Sequence, residues 1–87
     1  MPLYISVKSN ESAQLVCVTL YQRTLEALKQ GICKQFLKEL DDIVSIEITN
    51  NKSHITTDAQ VDSLQDNQEL FVIWKRELIE YHQVILI

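Results

Sequence analysis

The side chains able to do chemistry are few in this chain. It holds two cysteines, Cys17 and Cys33, and two histidines, His54 and His82. A zinc site draws three or four ligands from Cys, His and carboxylates, usually in closely spaced pairs. Cys17 and Cys33 form neither C-x-x-C nor a finger spacing, and neither histidine has a ligand partner at metal-binding distance along the chain. A catalytic cysteine must be an activated, accessible thiolate. Cys17 falls in an apolar strand pattern and Cys33 beside an apolar helical face. Both are therefore expected to be buried free thiols, which suits a reducing compartment. A single glycine, Gly31, excludes a glycine-rich phosphate loop. Asp58, Asp62 and Asp66 recur every four residues, which reads as a capped turn with a solvated face. Lys8, Lys75 and Arg76 read as ordinary surface charge. The expectation is no catalytic residue, no metal and no cofactor.

The elements that position these groups follow from periodicity. In Thr24–Leu40 (TLEALKQGICKQFLKEL) the residues Leu25, Leu28, Ile32, Phe36 and Leu40 recur at steps of three and four. That spacing puts them on one face of an α-helix. Glu26, Lys29, Gln30, Lys34, Lys38 and Glu39 fall on the wet side. Thr24 is the natural N-cap, with Glu26 facing the positive end of the helix dipole. Asp41 and Asp42 are expected to end the helix. Gly31 sits mid-helix, at a cost of roughly 1 kcal/mol against alanine, which suggests close packing of the helix on a sheet, or else a bend or a partner contact.

Leu3–Lys8 (LYISVK) alternates apolar and polar residues and reads as a strand with one inward face. Gln14–Leu20 (QLVCVTL) is a second strand, joined to the first as a hairpin. Ile43–Thr49 (IVSIEIT) is a third, with Val44, Ile46 and Ile48 on one face. Asn50–Ser53 is a turn, His54–Thr57 a short fourth strand, and Asp58 caps a helical turn over Ala59–Leu64. Glu69–Lys75 (ELFVIWK) is apolar enough for a central strand buried on both faces. Tyr81–Ile87 (YHQVILI) is a last strand. The expected core comprises Leu25, Leu28, Ile32, Phe36, Val44, Ile46, Phe71 and Ile73.

Eighty-seven residues make one domain, residues 1–87, with a modest core. The hydrophobic share of 46% and charged share of 23% exclude a disordered tail. Apolar runs fall far short of the ~20 residues of a membrane span. Met1–Lys8 lacks the pattern of a signal peptide. Twelve acidic against eight basic residues leave a net charge of -4, which argues against a nucleic-acid footprint.

A hairpin, one long helix and a return to the sheet describe an α+β domain of the β-grasp, or ubiquitin-like, arrangement. Its mixed sheet packs on the helix, with Tyr81–Ile87 as an extra C-terminal strand. A conjugated modifier needs a flexible Gly-Gly end; this chain ends in Val84–Ile87, so an embedded interaction domain is expected. An apolar closing strand left on a sheet edge invites pairing with another chain.

The stretches LYISVK, TLEALKQGICKQF, IVSIEI, VDSLQDNQELFVI and YHQVILI together resemble the C-terminal domain of grainyhead-type transcription factors, including their late-SV40-factor branch. The resemblance spans Leu3 to Ile87. It departs at the turn NNKS, where the family carries a basic, glycine-containing turn. It implies a non-catalytic dimerisation domain of a nuclear, sequence-specific transcription factor, whose DNA contacts lie in other parts of the protein. The partner would be a second copy or a family member, with no nucleic acid bound by this domain and no membrane. The alternative is a ubiquitin-like adaptor of Ras-association or scaffold type that binds a different signalling protein; either way the chain is expected inside the cell. Tyr81, Gln83, Val84, Ile85, Leu86 and Ile87 are the expected partner-binding residues, with Phe71, Trp74 and the outer face of the hairpin as secondary candidates.

Overall fold

The computed structural model describes residues 2–12 and 14–75. Within them the chain is a small α+β domain in which a four-stranded mixed sheet carries one long helix on a single face. The strands are β1 (Leu3–Ser9), β2 (Val16–Leu20), β3 (Ile43–Ile48) and β4 (Gln68–Trp74), in spatial order β2-β1-β4-β3. β1 and β2 form the expected antiparallel hairpin, β1 and β4 run parallel at the centre, and β3 pairs antiparallel with β4.

The long helix, α1 (Leu25–Phe36), starts where expected. Thr24 is extended, and its hydroxyl accepts a hydrogen bond from the Ala27 N–H at 3.1 Å. The short helix α2 (Asp58–Asp62) is capped by Thr57 rather than Asp58, in a reciprocal box with Gln60. That frees the Asp58 carboxylate, whose Oδ1 accepts from the Leu25 N–H at 2.7 Å. One side chain of α2 thus caps the start of α1, thirty-three residues away in sequence.

α1 ends earlier than the apolar stripe suggests. Leu37 adopts the left-handed conformation (φ 58°, ψ 46°), and the Lys38 N–H donates to the Cys33 carbonyl at 3.0 Å. This closes the helix as a glycine usually does, although no glycine is present. Leu40 then falls in a short 3-10 turn over Leu40–Asp42 and is exposed, not part of the helical face.

The core joins Leu3, Ile5 and Val7 of β1, Val18 and Leu20 of β2, Leu28, Ile32 and Cys33 of α1, and Leu70, Val72 and Trp74 of β4. Ile46, Ile55, Val61 and Leu64 complete it, and Leu25 and Phe36 pack against it. Three expected core residues belong elsewhere. Phe71 and Ile73 are half-buried on the opposite face of β4, because its inward positions are Leu70, Val72 and Trp74. β4 is fully buried on one face only. Val44 is 63% exposed because a register shift between Ile43 and Ser45 removes it from the alternation of β3. His54–Thr57 is not a strand; it makes one isolated bridge, His54 to Glu47.

Gly31 lies where the helix touches β2. A Cβ there would stand 2.9 Å from Val18 Cγ1, so close packing explains this glycine. At the far end of the sheet, Asn10 extends the parallel ladder with its side chain. Its Oδ1 accepts from the Trp74 N–H at 2.8 Å, and its Nδ2 donates to the Trp74 carbonyl at 3.3 Å.

Candidate functional site

Cys17 pairs across the hairpin with Ser6, and its neighbours Val18 and Leu20 point inward. It is therefore exposed on the outer face, against the expectation of burial. Cys33 is buried as expected. Burial pushes its thiol above the ordinary 9.0; Asp42 and then Glu39 add to the rise, and Lys29 opposes it. A protonated, buried thiol is a poor nucleophile. His54 Nε2 lies 3.7 Å from Glu47 Oε2. Among the described residues no three Cys, His, Asp or Glu side chains group as a metal site. His82 lies outside the described residues.

The three aspartates spaced by four do not act as a stripe. Asp58 caps α1, and Asp66 Oδ1 accepts from the Tyr4 N–H at 2.9 Å, pinning the loop before β4 onto β1. The backbone carbonyl of Asp62 accepts from Arg23 Nη1 at 3.1 Å. A partly open hollow of about 210 Å³ lies between α1 and β3, lined in part by Leu25, Lys29, Val44 and Ile55. That is below the ~300–1,000 Å³ of a typical small-molecule pocket; two wider-open hollows of about 300 and 530 Å³ lie beside Tyr21 and Gln22.

The outer face of the sheet carries apolar side chains among polar ones. α1 and α2 pack on the other face, so alternation sets Phe71, Ile73 and Tyr4 outward. Tyr4 is 44% exposed. The register places Lys8 of β1 on one side of Phe71 and Glu47 of β3 on the other. Ser6 pairs with Glu69, and Ser45 with Ile73, so the apolar residues sit in polar surroundings.

No protein-family model matches the chain, and no curated protein matches it.

Of the expected association residues, Phe71 lies on this outer face. Trp74 is 1% exposed, in edge-to-face contact with Phe36 at 5.5 Å between ring centroids, and belongs to the core. Lys38 Nζ lies 5.8 Å from its ring centroid and pairs with Glu11 at 2.8 Å. Trp74 offers a partner no surface in this fold. Tyr81, Gln83, Val84, Ile85, Leu86 and Ile87 lie outside the described residues. Tyr4 and Lys8 belong to the outer face of the hairpin, a secondary candidate from the sequence; Glu47 and Ile73 were not expected on this surface. The alternation of LYISVK marks Tyr4 and Lys8 as outward, but only the parallel register brings Lys8 beside Phe71.

Proposed function

We propose that this chain is a non-catalytic protein–protein interaction module with a β-grasp fold, the C-terminal self-association domain of a grainyhead-like transcription factor. The observation that carries the reading is the outward strip Phe71–Ile73 on a central strand, on the face opposite both helices. A central strand of a one-sided sheet normally shows polar residues to water. Two large apolar residues there favour a covering surface. The parallel pairing of β1 with β4, separated by a hairpin return and a helix, supports the β-grasp reading. Nuclear localisation, and DNA contact through other parts of a longer protein, follow from the same resemblance.

Tyr81–Ile87 is the second part of the proposed self-association surface, by strand addition between copies. Sedimentation equilibrium of the intact chain, of a chain truncated after Glu80 and of Phe71→Ser tests the reading. Self-association of the intact chain, weakened in both variants while circular dichroism shows them folded, is expected. An intact chain that stays monomeric up to its solubility limit sinks it.

The adaptor reading draws on one other feature. β2 is an outer strand of the sheet, and the groove between it and α1 is flanked by Tyr21, 82% exposed. A partner strand added there would use free backbone groups. The sequence upstream of this domain discriminates between the two: a DNA-binding region supports the first, a signalling context the second.

A further inference from the structure

The two edges of the sheet are not alike. On β3 the segment 53–55 lies along the outer side: the Ile48 N–H donates to the Ser53 carbonyl at 2.9 Å, and the Ile55 N–H to the Ile46 carbonyl at 2.8 Å. A register shift between Ile43 and Ser45 breaks the other end of that edge. β2 has neither device. It pairs with β1 in unbroken register from Val16 to Leu20, and its sequence VCVTL holds no charge and no proline. Among the described residues no backbone group bonds to its outer side. Folded proteins normally protect such an edge with Lys, Pro, a bulge or a covering segment. Beside it, Leu20, Tyr21, Ala27 and Gly31 line an open hollow of about 300 Å³ against α1. The edge thus offers free backbone groups and room for side chains.

We propose that the strand which covers β2 is Tyr81–Ile87 of a second copy of the chain, exchanged reciprocally between two copies. This deepens the self-association reading and rests on it. Residues 76–87 follow Lys75, and within them YHQVILI carries two aliphatic residues in each alternate set, Val84 and Leu86 in one, Ile85 and Ile87 in the other. Either parity lays two of them over the hollow. A strand of that length exceeds what β3 leaves open, since 53–55 already occupies its edge from Ile46 to Ile48. The chain's own β2 is poorly placed to receive it. The outer side of β2 lies three strand spacings, about 14 Å, from β4. The steps from Lys75 to Tyr81 reach ~20 Å at most, fully extended. The direct path is closed by the hairpin loop, whose Asn10 side chain clasps the Trp74 backbone and whose Glu11 pairs with Lys38 at 2.8 Å. The Lys75 N–H points the other way, to the Asp42 carbonyl beside β3 at 2.7 Å. The strand of a second copy is free of this limit. Reciprocal exchange about a two-fold axis closes at two copies.

Two measurements on the full chain test the exchange. Cys17 is exposed on β2 and Cys33 is buried, so a nitroxide spin label goes to Cys17 in the native state. A spin-labelled nitrogen-14 chain is mixed with a nitrogen-15 Cys17→Ser chain. Broadening of the amide signals of residues 82–87 in the nitrogen-15 chain is expected, and its absence from an associating sample overturns the exchange. If a chain carrying both labels, diluted in excess plain chain, keeps that broadening, the strand has added to its own β2, which also overturns it. Ala27→Arg fills the hollow from the helix, outside the core. It is expected to weaken self-association by about tenfold or more in sedimentation equilibrium, with circular dichroism unchanged. A folded Ala27→Arg chain that associates as the original does, while the chain truncated after Glu80 does not, places the strand elsewhere; it overturns this interface and leaves self-association standing. A strictly monomeric chain removes both.

Discussion

Gly31 decides how close α1 comes to β2. On an open helix, replacing glycine by alanine stabilises by roughly 1 kcal/mol. Here the added methyl meets Val18 Cγ1 at 2.9 Å, and Val18 is a buried, β-branched residue held by the core. Overpacking of this kind typically costs ~1–3 kcal/mol, so the clash outweighs the helix propensity. Gly31→Ala is expected to lower stability by about 1 kcal/mol, seen as a lower urea midpoint; a raised midpoint would show that the sheet moves aside freely. The two thiols separate just as clearly. Cys17 is exposed and should be alkylated by iodoacetamide in the native state, while Cys33 should react only as the chain unfolds. The folded Cys33 thiol has its pKa raised above 9.0, so the folded state holds its proton more tightly than the unfolded state. Its contribution is whole below 9.0 and is lost as pH rises through the folded value. Thermal melts of the native chain should therefore fall more steeply from 9.0 upward than those of Cys33→Ala; parallel curves would refute this.

At the scale of elements, two junctions are closed by unusual means. The β1–β4 pairing is prolonged by the Asn10 side chain, which mimics one further residue of the parallel ladder on the Trp74 backbone. Leaving a buried backbone group unpaired costs ~1–3 kcal/mol. Asn10→Ala should destabilise by about that amount. Asn10→Asp, which keeps an acceptor for the Trp74 N–H, should lose less; equal losses would mean that the ladder extension contributes little. The end of α1 runs the other way. Leu37 is in the left-handed region and is 91% exposed, so it bears strain with almost no burial in return. Relief of that strain is worth ~1–2 kcal/mol, and the extra freedom of glycine in the unfolded chain takes back ~0.4–1. Leu37→Gly should raise stability by about 0.5–1 kcal/mol in chemical denaturation, and a loss would show that the leucine makes a stabilising contact.

Across the whole molecule, one connected core unites the inner face of the sheet, α1 and the 55–64 segment. Such a core predicts a single cooperative transition. Trp74 is the only tryptophan, 1% exposed, and sits at the end of a central strand that is also tied to Asn10 and, through the Lys75 N–H, to the Asp42 carbonyl at 2.7 Å. Its fluorescence should shift to the red at the same urea concentration at which far-ultraviolet circular dichroism is lost. If fluorescence moves first, the outer end of β4 opens before the rest.

The residue sequence determined the local elements of this protein. Leu28 and Ile32 mark the inner face of α1, Leu3, Ile5 and Val7 that of β1, and Thr24 the helix start, because each signal lies within a few residues of the group it positions. The parity of β4 was only partly legible. In ELFVIWK the set Leu70, Val72 and Trp74 is wholly apolar, whereas Phe71 and Ile73 alternate with Glu69 and Lys75, but five apolar residues in a row blur that signal. Docking on α1 put the first set in the core and left Phe71 facing outward. The same holds for Val44, displaced by a register shift against β4, for Cys17, turned out by its partner Ser6, and for Asp58, which caps a helix distant in sequence. The candidate surface is of this second kind. Lys8, Phe71 and Glu47 come from three strands, and a row across a sheet exists only once strand order and register are set. Those depend on which long-range pairing buries the most apolar surface, a sum over the whole chain that no short stretch contains.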